Sequence, residues 1–249
     1  MGYVGYALQW VMSLLFIFQM YLSMAVMAIV LAPFAMISRE GAIWSVRTYS
    51  AWVRWSARWM VGLRSEVRGQ VPMDEVLICS KHQSFFDIII IVSVLPRPRF
   101  IMKAELKYTP FLGWYAERIG CVPVNRGKGA KAVRQMIAGV EKMRDFPGQL
   151  MIYPQGTRVA PGVKKPYKIG SGVLYAGLKQ ACVPAGTNVG VFWPRHGIYR
   201  KRGLAVVEFL DPIAPGLSVD QFMTQLEEVV EESSNRLMAE AGFQVEKSG

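Results

Sequence analysis

The first 38 residues carry no charged side chain, and apolar positions run almost unbroken from Ala7 to Leu31. A helix over residues 7 to 31 would measure about 37 Å, enough to cross the hydrocarbon core of a bilayer. Gln9, Gln19 and Pro33 interrupt the run and allow a bent helix lying within one leaflet, a geometry the sequence does not separate from a span. In the next segment Trp44, Trp52, Trp55 and Trp59 fall within about 80° of a helical wheel, and Arg47, Arg54 and Arg58 within about 40°. This predicts an interfacial helix with indoles at the headgroup boundary and guanidiniums toward anionic phosphates. After Pro72 the period shortens. Apolar runs at 75–80, 99–102, 121–124, 149–153, 182–191 and 204–210 predict strands, and helices are predicted over Phe86 to Leu95, Pro110 to Arg118, Ala130 to Phe146, Gly170 to Lys179, and after a capping Ser218.

The alternation indicates an α/β domain with a mixed sheet flanked by helices, preceded by an N-terminal membrane-associated helical pair. Gly62, Gly69 and Pro72 mark the change, which divides the chain into an anchoring segment, 1–62, and a domain over 63–249. Three other readings of the N-terminal region compete with the anchor. A signal peptide lacks its basic n-region here and has too long an apolar stretch, a buried core helix would hide 38 uncharged residues, and the tryptophans could form a core face. Bases follow the apolar run and none precede it, which by the positive-inside tendency places the domain on the cytoplasmic side of the inner membrane.

Composition narrows the partners. The chain has 29 Lys and Arg against 18 Asp and Glu, for a net charge of +11, with 52% hydrophobic residues and mean hydropathy of +0.22. Residues 217–249 hold seven of the acids and two of the bases, so the rest of the chain carries +16. Such a surplus suits anionic lipid headgroups or a phosphorylated substrate. Nucleic acid is disfavoured, because the bases form no arginine-rich stripe with exposed aromatics outside the lipid-facing helix. Cys79, Cys121 and Cys182 have neither disulfide nor metal spacing and read as reduced core residues, and with only His82 and His196 a zinc site is almost excluded.

The candidate chemistry sits at strand ends. His82 and Asp87 lie five positions apart across a strand-to-helix turn, where the carboxylate can accept from Nδ1–H and leave Nε2 as a base. A structural histidine is the plainer reading of this pair alone. No G-x-S-x-G elbow exists, so direct proton abstraction from a substrate hydroxyl attacking an acyl carbonyl fits better than a covalent intermediate. Arg126 and Arg158 each follow an apolar run, and both could grip one phosphate with the amides of Gly156 and Thr157 nearby, although either alone could be a solvated surface arginine. The stretch Gly127 to Ala132 matches G-x-G-x-x-A, but its strand is not the first of the fold and no ribose-binding acid follows.

Taken in order, these motifs resemble the PlsC-like glycerolipid acyltransferases. The likeness spans residues 75–195 and rests on five features: His82 to Asp87, Lys103 to Leu106 followed by Pro110 to Gly113, Gly120 to Arg126, Tyr153 to Arg158, and Val183-Pro184. It implies His82 as base, Asp87 as its orienting partner, Arg126 and Arg158 on the acceptor phosphate, and Lys103 steadying the oxyanion. Two positions depart from the family pattern, Lys81 for Asn and Gln155 for Glu, and both should add positive potential. The resemblance implies acyl transfer from acyl-CoA or acyl-carrier protein to lysophosphatidic acid, giving phosphatidic acid, with no metal or other cofactor. A lyso-ornithine lipid or another lysophospholipid is the alternative acceptor, and an anionic-lipid-binding protein without catalysis is the non-enzymatic alternative.

Overall fold

The computed structural model describes residues 2–125, 129–143 and 145–244. Its N-terminal region is helical: α1 (Tyr3–Val30), α2 (Ala32–Ile37) and α3 (Arg39–Val61). Pro33 falls in the first turn of α2, where its missing N–H costs nothing, so the apolar run bends after Val30 instead of continuing straight. Ser38 caps α3 by accepting from Gly41 N at 2.9 Å, and Gly62 ends it in the left-handed region at φ 69°.

The remainder follows as β1 (Leu63–Arg68), β2 (Leu77–Ser80), α4 (Phe85–Val94), β3 (Pro98–Lys103), a 3₁₀ turn (Ala104–Tyr108), α5 (Leu112–Arg118), β4 (Val122–Val124), α6 (Gly129–Glu141), β5 (Gln149–Ile152), α7 (Gly170–Leu178), β6 (Cys182–Thr187), α8 (Val189–Phe192), β7 (Gly203–Phe209) and α9 (Val219–Glu240). One seven-stranded sheet runs in the order β1-β7-β6-β2-β5-β3-β4. Only the β6–β7 pairing is antiparallel, which makes the sheet mixed.

Alternation along the buried strands feeds two cores. Ile78 packs with Phe86, Ile90 and Phe16 on the face covered by α1 to α5, while Leu77 and Cys79 pack with Leu174, Phe222 and Leu226 on the face covered by α6, α7 and α9. All three cysteines are free and buried, as expected.

One strand is not predicted, and two predicted boundaries move. The sequence shows no strand at β1, because an edge strand reading Leu-Arg-Ser-Glu-Val-Arg has only two apolar positions to mark it. The run at 182–191 is a strand only to Thr187, whose Oγ1 then accepts from Val189 N at 3.2 Å and turns the chain into α8. The helix predicted over Ala130 to Phe146, α6, stops at Glu141.

Along α1, Gln9, Ser13, Phe16 and Met20 form the buried stripe, and most other side chains face outward. The two polar members are sockets for the domain. Gln9 Nε2 donates to the carbonyls of Val61 and Arg200, both at 2.8 Å, and Gln9 Oε1 accepts from Arg202 Nε. Ser13 Oγ accepts from Arg200 N. Tyr115 of α5 donates to Ala28 O, so domain contacts run along α1 from residue 9 to residue 28. On α3 the four tryptophans are exposed, which rules out the core-face reading, with Trp59 at 67%. Arg54 departs from expectation, because it turns inward to Ser65 Oγ and Ser93 Oγ at 2.8 Å and clamps α3 to the domain.

Candidate active site

Strands β2, β5, β3 and β4 are mutually parallel, so the turns after them lie along one carboxyl edge of the sheet. On that edge the chain leaves β2 at Ser80 and enters α4 at Phe85. Ser84 caps the helix and Asp87 at its third position completes the capping box. Asp87 Oδ2 accepts from the amides of Gln83 and Ser84, each at 2.8 Å, which leaves Oδ1 facing His82 Nδ1 at 2.9 Å. The carboxylate is fully buried and the imidazole is 11% exposed. With Nδ1 protonated toward Asp87, Nε2 is the free lone pair of the ring.

The turn that carries His82 is held at three points. Tyr153, at the end of β5, stacks on the imidazole with centroids 4.0 Å apart. Val159 N donates to His82 O at 2.7 Å, tying the turn after β5 to this histidine. Gln83 Oε1 accepts from Gly190 N at 2.9 Å, and a Cβ at Gly190 would sit 2.8 Å from Gln83 Cβ, so α8 approaches as only glycine allows.

The phosphate candidates divide. Arg158 and Thr157 lie half-buried on this edge. Gly156 has φ 69°, and its N–H donates to Tyr153 O at 2.8 Å. Arg126 lies outside the described residues. Two cations that the sequence did not single out join the edge. Lys168 Nζ lies over Gly156, 3.0 Å from where a Cβ would be. Arg195, next to His196 in the chain, meets Arg158. The sole signal for Lys168 was the density of bases between Lys164 and Lys168. Lys103 ends β3 on the same edge, exposed, with Glu105 Oε1 at 3.2 Å.

Of the two departures from the family pattern, Lys81 does not raise the potential as expected. Lys81 is 2% exposed and bound by Glu231 of α9, so its charge is neutralised. Gln155 is buried, and its Nε2 donates to Lys165 O at 3.1 Å. Beside the edge, between α6 and α7, an apolar cavity of about 800 Å³ is lined by Ile101, Val133, Met136, Ile152 and Ile169, with Tyr153 in its wall.

Residues 64–187 match the family model described as Acyltransferase. This chain belongs to that family. The acyltransferase fold extends beyond the matched segment: the crystal structure of the 1-acyl-sn-glycerophosphate (LPA) acyltransferase PlsC from Thermotoga maritima superposes with a TM-score of 0.77, covering 93% of this chain and 97% of that one at 18% identity. Among curated relatives, a 1-acyl-sn-glycerol-3-phosphate acyltransferase of Pseudomonas aeruginosa is 27% identical over 154 residues, 61% of this chain and 60% of the relative. The yeast enzyme of the same name is 28% identical over 162 residues, 62% of this chain and 53% of its own. A lyso-ornithine lipid O-acyltransferase of P. aeruginosa is 34% identical over 106 residues, 41% of this chain and 40% of the relative. The chain thus spans between two fifths and three fifths of the lengths of these three relatives.

Proposed function

We propose that this acyltransferase moves a fatty acyl group from acyl-CoA or acyl-carrier protein to the sn-2 hydroxyl of lysophosphatidic acid, giving phosphatidic acid. The observation that carries the reading is the His82–Asp87 pair, with the carboxylate buried and doubly amide-bonded and Nε2 left free. His82 Nε2 takes the proton of the acceptor hydroxyl as its oxygen attacks the thioester carbonyl. Asp87 holds the tautomer and stabilises the imidazolium that forms. The tetrahedral intermediate collapses with loss of the thiolate, which receives the proton from His82, so no covalent enzyme intermediate forms. Lys103 is assigned to the developing oxyanion, and Arg126, Arg158, Gly156 and Thr157 to the acceptor phosphate. No step calls for a metal or organic cofactor. The named activities of the relatives from P. aeruginosa and yeast support the acceptor assignment.

Residues 1–62 are assigned to membrane attachment, with 63–249 as the catalytic domain on the cytoplasmic side of the inner membrane. Contacts with the domain at Gln9 and at Ala28 favour α1 lying along one leaflet over crossing it, since both halves of the helix are bound to the same polar body.

Purified full-length protein given acyl-CoA or acyl-carrier protein and a panel of lysolipids, with products read by mass spectrometry, tests the assignment. Lysophosphatidic acid should be acylated at sn-2, and His82→Ala should abolish transfer while keeping fold and membrane binding. Near-parental transfer by His82→Ala, or acyl label accumulating on the protein, refutes the mechanism. The 34% identity to the lyso-ornithine lipid enzyme favours a second reading, with lyso-ornithine lipid as acceptor. Preference for an acceptor without phosphate would select it.

A further inference from the structure

Arg158 Nη1 points to the carbonyl of Arg195 at 3.4 Å, and Arg195 Nη1 points back to the carbonyl of Arg158 at 3.3 Å. These crossed contacts lay the two arginines alongside each other where the turn after β5 meets the loop after α8, each guanidinium against the other's backbone carbonyl. Among the described residues no carboxylate lies within ion-pairing distance of either. Two cationic side chains gathered in one place without a counter-ion raise the local potential and favour an anion bound to both.

The rest of the fold fixes that loop beside the His–Asp turn. Trp193 stacks on Phe86, one residue before Asp87, with centroids 5.0 Å apart. Arg200 lies over the same Trp193 ring, 4.3 Å from its centroid, and its backbone is held by Gln9 and Ser13 of α1. Arg158 in turn adjoins Val159, whose amide is bonded to His82. The helix that meets lipid and the histidine therefore both brace the loop that carries Arg195.

From this geometry we propose that Arg195 is a binding residue for the acceptor's phosphomonoester, forming a two-guanidinium fork with Arg158. The proposal rests on the reading that the acceptor carries a phosphate. A phosphomonoester has three terminal oxygens and up to two charges, which matches two bidentate cations better than a phosphodiester with one charge and two free oxygens does. Arg195 thereby selects for an acceptor whose phosphate is unsubstituted.

The test is steady-state kinetics of the full-length protein in mixed micelles, with lysophosphatidic acid and 1-monoacylglycerol as alternative acceptors at saturating acyl-CoA. Arg195→Gln should raise KM for lysophosphatidic acid by about ten- to a hundredfold, the span of one charge-assisted hydrogen bond, with kcat near the parent value. Arg195→Lys should recover part of that loss, because it restores the charge without the bidentate geometry. If Arg195 only props Arg158 through the carbonyl contact, Gln, which can still donate to that carbonyl, would restore parental KM and overturn the proposal. Equal loss on both acceptors would overturn it as well. Arg158→Gln separates the two levels: a raised KM there with none in either Arg195 variant sinks the fork alone. A parent that uses monoacylglycerol as readily as lysophosphatidic acid removes the phosphate reading and the fork with it.

Discussion

Lys81 Nζ lies 2.5 and 2.7 Å from the two carboxylate oxygens of Glu231, so the residue immediately before His82 is anchored to the last helix of the fold. Tyr167 OH donates to the same carboxylate at 2.9 Å. Lys81→Met should cost about 2–3 kcal/mol, near the low end for breaking a buried pair, because Glu231 is partly exposed and can resolvate. Replacing both residues, Lys81→Met with Glu231→Leu, should recover most of it. Urea unfolding of the three proteins checks this.

Burial, with Glu231 beside it, holds the Tyr167 hydroxyl well above the usual tyrosine range. The unfolded chain releases this proton near pH 10 while the folded protein keeps it. Stability from this group is therefore full below about pH 10 and falls as pH rises beyond it. Tyr167→Phe should flatten that alkaline decline in Tm measured between pH 9 and 11; an unchanged slope would refute it.

Gln9 should behave as a buried polar core residue despite lying in an apolar helix. Gln9→Leu leaves the carbonyls of Val61 and Arg200 and the Arg202 guanidinium without this partner, and should cost about 1–3 kcal/mol. Hydrogen exchange should speed up in the loop around Arg200, with vesicle binding retained.

Asp87→Asn should lower kcat by about a hundred- to ten-thousandfold, the range ascribed to a positioned acid–base group. It should also destabilise the protein by about 1 kcal/mol through the helix cap. Activity near the parent level with the cap disturbed would separate the two roles and remove the catalytic one.

Burial pushes the Cys121 thiol up to about 12 and the Cys79 thiol upward as well. Native protein at pH 8 should be unreactive at these positions toward a thiol-selective disulfide reagent, and all three cysteines should react once urea unfolds it.

The His82–Asp87 pair was legible because it is local: five residues, one turn and one cap contain all of its geometry. The strands that were found lie mostly in the sheet interior, where burial makes apolar runs conspicuous; β1 escaped because one open edge lets charged residues occupy a strand. Arg195 and Lys168 could not be read from spacing. Arg195 reaches Arg158 across 37 residues, and the Lys168 ammonium meets Gly156 only because the chain folds back after Arg158. Lys81 misled for the same reason, since its neutralising partner lies 150 residues later. Gln9 and Ser13 looked like blemishes in an apolar segment, and only the tertiary structure shows what they hold.

The sockets on α1 also set an order of events during synthesis. Gln9 finds its carbonyl on Arg200 191 residues later, and at cellular elongation rates that wait is on the order of ten seconds or more. Throughout it α1 is a finished, greasy helix with no sheet to lie on. On the attachment proposed above, the nascent chain meets the lipid surface first and folds its catalytic half there, so the enzyme is assembled at its workplace instead of being delivered to it.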